Sequence, residues 1–144
     1  MSFAIDVNIL LYASDSNSPL QQKAADFLAR TAAGREVFCL AWLTVMSYMR
    51  MATHPAIFER PLAHEDAARN IETLTGLPHA RVIGEDEGFW NTYRGVTADV
   101  PTRGNLVPDA QLASILSGHG VMTICTHDRD FRKFSFLKVI DPLA

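Results

Sequence analysis

Short apolar runs alternate along the chain with longer segments in which apolar residues recur every three or four positions. Phe3-Ala4-Ile5, Val37-Phe38-Cys39-Leu40, Arg81-Val82-Ile83, Val121-Met122-Thr123-Ile124-Cys125 and Leu137-Lys138-Val139-Ile140 are short and rich in β-branched residues. Each predicts a strand, and the wholly apolar runs predict strands buried on both faces, as parallel strands are. Helical patterns lie between them. Ser18-Pro19 reads as an N-cap followed by proline at the first helical position, with Leu20, Ala24, Phe27 and Leu28 on one face and Gly34 past the end. His64 to Thr75 repeats the pattern, with Ala67, Ile71 and Leu74 as its stripe and Gly76 as its stop. Glu85 to Tyr93 carries Phe89, Trp90 and Tyr93, and Pro108 to Ser117 carries Leu112, Ile115 and Leu116 before Gly118 and Gly120. Leu43 to Thr53 has helical propensity but a confused period, because Met46, Met49 and Met51 point to more than one face. Alternating strands and helices predict an α/β domain with a central, mostly parallel sheet of four to five strands flanked by helices. With no linker or repeat, residues 1–144 are expected to form one domain.

Composition narrows the function classes. The net charge of −3 removes the global basic field of many nucleic-acid binders, so any such contact must come from local cations. Arg50, Arg103, Arg129, Arg132 and Lys133 are the candidates for phosphate contact, with ordinary solvated charge as the alternative for each. No apolar run reaches the roughly 18 residues that a membrane span needs. The opening Met-Ser-Phe-Ala-Ile-Asp lacks the basic region of a signal peptide, so a cytoplasmic location is expected. Cys39 and Cys125 sit far apart inside apolar runs and read as reduced, buried thiols. The histidines show no paired metal spacing, and His127 alone lies near the candidate chemistry described next. Trp42, Trp90 and Tyr93 are able to stack on bases, but Trp90 and Tyr93, three apart on one expected helix, read better as core or dimer packing.

In parallel sheets, ligands bind beyond the carboxyl ends of the strands. Asp6 follows the first strand directly and Asp128 follows the fourth, so both carboxylates are expected at one rim. Asp109 joins them if its helix begins there. Each has a structural alternative: an Asx turn for Asp6 and Asn8, a helix-dipole partner for Asp109, a cap for Asp128. Together they point elsewhere. Two carboxylates about 4 Å apart repel by roughly 4 kcal/mol at an effective dielectric of 20, and a hard cation with oxygen ligands, Mg²⁺ or Mn²⁺, offsets that. Such a site can orient a phosphodiester and activate water against it.

The pieces around these residues carry a family resemblance. Ile5-Asp6-Val7-Asn8-Ile9-Leu10, Arg50-Met51-Ala52-Thr53-His54-Pro55, Gly104-Asn105-Leu106-Val107-Pro108-Asp109-Ala110, Thr126-His127-Asp128-Arg129-Asp130-Phe131 and Val139-Ile140-Asp141-Pro142-Leu143 occur in the order and spacing of the VapC family of PIN-domain toxins, over nearly the whole chain. The resemblance implies a PIN-like three-layer fold and a metal-dependent endoribonuclease, the toxin of a type II toxin–antitoxin pair. It implies Asp6 and Asp109 as direct metal ligands, Asp128 acting nearby, and Asp130 and Asn8 in support. It also implies an RNA substrate, a VapB-like antitoxin as partner, and a homodimer within a larger toxin–antitoxin assembly. One departure stands out. The family usually has a glutamate three residues before the arginine matching Arg50, and this chain has Ser47. Ser47 motivates an alternative, a PIN domain that binds RNA or antitoxin without cutting. Glu85 and Glu87 are substitutes in principle, although the expected helix does not bring them to the rim. A third reading makes Asp6, after a first parallel strand, the nucleophile of a phosphotransfer enzyme.

Overall fold

The computed structural model describes residues 2–144. Five parallel strands form one sheet in the order β3-β2-β1-β4-β5: β1 (Ser2–Ile5), β2 (Val37–Ala41), β3 (Ala80–Ile83), β4 (Thr123–Cys125) and β5 (Lys138–Ile140). The expected parallel sheet is therefore observed, with five strands. Six helices flank it: α1 (Val7–Ser14), α2 (Gln21–Ala33), α3 (Trp42–Ala52), α4 (His64–Thr75), α5 (Phe89–Val96) and α6 (Leu106–Gly118). A 3₁₀ turn spans Arg129–Lys133. The described helices include none long and apolar enough to cross a membrane.

The two faces of the sheet differ in side-chain size. Successive strand residues point to opposite faces. Phe3, Ile5, Phe38 and Leu40 face a core closed by α1 to α4, with Ile9, Leu10, Tyr48 and Ile71. Ala4, Cys39 and Ala41 face the other core and leave room for α6 to settle closely through Ala110 and Ala113, both fully buried. Helix α6 is apolar nearly all round, and its one buried hydroxyl, on Ser114, donates to the Ala110 carbonyl at 2.7 Å. Cys39 and Cys125 are buried free thiols, and burial pushes the Cys125 thiol up to about 11.

Several boundaries differ from the sequence reading for local reasons. Helix α1 has no counterpart there; Asp6 caps it instead of closing an Asx turn. Ser18 does not cap α2. Its hydroxyl accepts from Leu20 N at 3.1 Å inside a turn, and the helix begins only at Gln21. Helix α5 starts at Phe89, because Asp86 to Phe89 form a turn closed by Phe89 N donating to the Asp86 carbonyl. Helix α6 starts earlier than expected, at Leu106, and Pro108 sits in a first turn whose N–H groups need no helical partner. In α3 the inward stripe is Thr44, Val45, Tyr48 and Ala52. Its polar members masked the period. Trp90 is 61% exposed and stacks on Tyr93, so only Tyr93 packs against the core.

Candidate metal centre

Strands β1 and β4 are neighbours, with Ile5 opposite Cys125, so their carboxyl ends deliver Asp6 and Thr126 side by side. Asp6 N donates to the Cys125 carbonyl at 3.0 Å and Thr126 N to the Ile140 carbonyl at 2.9 Å, which fixes both backbones. Asp6 then turns the chain into α1. Its Oδ1 accepts from Val7 N at 2.8 Å, and its Oδ2 accepts from Thr126 Oγ1 at 2.8 Å and Asn8 Nδ2 at 3.4 Å. Thr126 Oγ1 accepts in turn from Asn8 Nδ2 at 3.2 Å and from Asp128 N at 3.0 Å. Asn8 Oδ1 accepts from His127 N at 3.3 Å. Asn8 and Thr126 thus tie the two strand ends together and hold Asp6, only 7% exposed, in one orientation.

Asp128 caps the 3₁₀ turn, its Oδ1 accepting from Asp130 N at 2.9 Å. Asp109 lies in the first turn of α6, distant from Asp128 in sequence but beside it in space. One carboxylate oxygen each from Asp109, Asp128 and Asp130 lies within 4.8 Å of the others. Asp6 stands next to this triad, with both its oxygens already accepting hydrogen bonds. Lys133 Nζ is 3.6 Å from Asp130 Oδ1 at the exposed edge.

The electrostatics follow from this crowding. Asp109 is pushed up to about 7, first by burial and then by the charges of Asp128, Asp6 and Asp130, with Lys133 opposing. Asp6 is also raised. Burial is the main cause and Asp128 adds to it, against the lowering effect of the Thr126 and Val7 hydrogen bonds. Converging hard oxygens that resist ionisation together are a fitting donor set for a hard divalent cation.

Ser47 lies half-buried in α3, five residues from its start, or about 7–8 Å along the axis. Its residue type brings no negative charge there. Glu85 follows β3, and its Oε2 accepts from Gln111 Nε2 at 3.1 Å. Gln111 is two residues past Asp109, roughly 200° around α6, so Glu85 belongs to the far side of that helix. Sequence reading passed over Thr126 and Asp141. His127 Nδ1 is 2.9 Å from Asp141 Oδ2, and the His127 ring meets Tyr12 edge-on at 5.7 Å. The signal for Thr126 was a hydroxyl at a buried strand end beside an acid.

This parallel sheet, with carboxylates gathered at its carboxyl rim, defines a PIN-type domain. No protein-family model matches the chain. Ribonuclease VapC48 of Mycobacterium tuberculosis (strain H37Rv) is 44% identical over 144 residues, 100% of this chain and 99% of the relative. Ribonuclease VapC31 of the same strain is 30% identical over 140 residues, 97% of this chain and 98% of the relative. The chain belongs to the VapC family of ribonucleases. Among solved structures, the sarcin-ricin-loop-cleaving toxin VapC20 of M. tuberculosis superposes with a TM-score of 0.69 at 13% identity, over 96% of this chain and 99% of that one. VapBC-1 of nontypeable Haemophilus influenzae gives 0.66 at 17% identity, over 100% of both chains. At these identities the likeness is one of fold.

Proposed function

We propose that this chain is a Mg²⁺- or Mn²⁺-dependent endoribonuclease, the toxin of a VapBC-type pair. The observation that carries the metal dependence is the convergence of Asp109, Asp128 and Asp130, one carboxylate oxygen from each within 4.8 Å of the others. Burial first, and then the charges of Asp128, Asp6 and Asp130, raise Asp109 there to about 7. Asp109, Asp128 and Asp130 would hold the cation, and Asp6, the other ligand that the family resemblance suggests, adds charge beside them. When bound, the metal offsets charge on a phosphodiester and makes water a better nucleophile. The chain's own residues orient the site. Thr126 and Asn8 fix Asp6, Asp128 N binds Thr126, and the 3₁₀ turn presents Asp128 and Asp130 from one short segment. Buried reduced thiols are in keeping with a cytoplasmic protein.

A VapB-like antitoxin is the proposed partner, within a homodimeric toxin assembly. Trp42 and Met46, four apart on α3, are 56% and 62% exposed, an apolar face suited to such contacts. A second reading, a PIN domain that binds without cutting, rests on Ser47. The phosphotransfer reading loses support from Asp6 itself, whose buried oxygens are occupied by hydrogen bonds. The test is cleavage of total RNA by antitoxin-free protein with Mg²⁺, Mn²⁺ or chelator, beside Asp6→Ala, Asp109→Asn and Ser47→Glu. Discrete fragments that require metal, Asp6 and Asp109 are expected from the parent chain. Cleavage by Ser47→Glu alone would favour the binding module.

A further inference from the structure

Asp6, Asp109, Asp128 and Asp130 crowd together at the rim on a chain of net charge −3, and the ribonuclease reading requires an RNA phosphate to approach them. Beside them opens a cleft of about 700 Å³ lined by Pro101, Thr102, Arg103, Leu106 and Lys133. Its walls come from the loop before α6, the first residue of α6 and the 3₁₀ turn, and both stretches of chain carry the carboxylates. Leu106 is three residues before Asp109 on α6, and Lys133 Nζ is 3.6 Å from Asp130 Oδ1. Arg103 is exposed, and among the described residues it forms no ion pair. The loop that carries it is shaped. Thr102 Oγ1 donates to the Val100 carbonyl at 2.7 Å, Leu106 N donates to the Arg103 carbonyl at 3.2 Å, and Gly104 takes φ +58°, where a side chain is strained. The backbone of Arg103 is thereby preset. Lys133 is also the cation that lowers Asp109. Of the basic residues near the rim, these two face one cavity.

We propose that this cleft is the RNA-backbone subsite next to the scissile position, where Arg103 and Lys133 each donate to a phosphate and hold the strand across the carboxylates. It has this role only if the chain is the ribonuclease proposed above. Arginine and lysine are suited to phosphate, and most protein–nucleic acid hydrogen bonds go to the backbone.

Salt dependence of RNA binding tests it. A labelled single-stranded RNA is titrated against the Asp109→Asn protein, which suppresses cleavage, alone and combined with Arg103→Ala, Lys133→Ala or both. Arg69→Ala, whose side chain pairs with Asp66 at 3.0 Å on the exposed face of α4, serves as the control. Each cleft substitution should lower the slope of log K against log salt by about 0.7 and weaken binding about tenfold at low salt, while Arg69→Ala changes neither. Lys133→Arg should restore the slope. In the cleaving parent the same substitutions should raise KM more than they lower kcat. An unchanged slope in the double variant overturns the subsite, even if the parent cleaves RNA with metal. Loss of antitoxin affinity with the RNA slope intact assigns the cleft to the partner and also overturns it. A parent that binds RNA through these cations but cleaves none with either metal keeps the phosphate contacts, yet removes the ribonuclease reading and with it the place of this cleft beside a scissile bond.

Discussion

At the scale of single residues, Asp109 carries the most information. Its carboxyl is raised from an ordinary 3.8 to about 7, so the folded chain holds that proton more tightly than the unfolded chain does. Its contribution to stability is therefore complete below the ordinary carboxylate range and is lost as pH rises through about 7. Above that pH, without metal, an ionised Asp109 works against the fold. Asp109→Asn removes the charge and keeps the shape. In chelator at pH 8 the variant should melt higher than the parent, by roughly 2–4 °C for each kcal/mol relieved. At pH 5 the two curves should converge, because the parent is then protonated as well. Thermal melts at the two pH values check this, and a parent that melts higher at pH 8 would refute the electrostatic account. Thr126 plays the complementary part. Its hydroxyl donates to Asp6 and accepts from Asn8 and Asp128 N, so one side chain links three parts of the site.

At the scale of elements, legibility in the sequence followed burial. Strands β1 and β2 are buried on both faces, lose alternation and read as apolar runs, which is why the strand positions and the parallel sheet were visible. Helices with one wet face, such as α4, were visible for the opposite reason. Helix α1 was not, because its first turn is the site itself: Asp6 and Asn8 look like turn formers until Thr126 and His127 arrive from β4 to bond them. The rim position of Asp6 and Asp128 was legible from strand ends alone. The closeness of Asp130 to Asp109 was not, since it depends on where α6 crosses the sheet. Helix α3 hid its inward face behind polar atoms that are satisfied only in three dimensions. Tyr48 is 1% exposed, and its hydroxyl meets Ser14 Oγ at 2.7 Å and accepts from Asn70 Nδ2 at 3.0 Å, which joins α1, α3 and α4. Tyr48→Phe keeps the ring and strands Ser14 and Asn70. It should cost about 1–3 kcal/mol in urea unfolding, with RNA cleavage by the remaining folded protein unchanged. A cost near zero would mean water replaces the hydroxyl.

At the scale of the whole molecule, folding and protonation act on the same carboxylates that are proposed to hold the cation. A cation that binds only the folded chain stabilises it by RT ln(1 + [L]/Kd), about 2.7 kcal/mol at a hundredfold excess over Kd. The cation must compete with the proton on Asp109, so its apparent affinity should rise with pH, about tenfold per unit well below 7, and level off above about 7. The gain in melting temperature from Mn²⁺ should follow the same curve, small at pH 5.5 and full at pH 8. Asp109→Asn should flatten that dependence and weaken binding together, because it removes both the proton and a ligand. Asp6→Asn separates the two roles argued for the carboxylates. If Asp6 adds charge beside the triad without binding directly, its loss lowers both the affinity and the pH at which the curve levels, since Asp109 then ionises more easily. If Asp6 is a direct ligand, affinity falls as far as it does in Asp109→Asn. Manganese titrations followed by calorimetry over pH 5.5 to 8.5 distinguish the two. A metal response independent of pH in the parent chain would show that the cation binds somewhere other than Asp109.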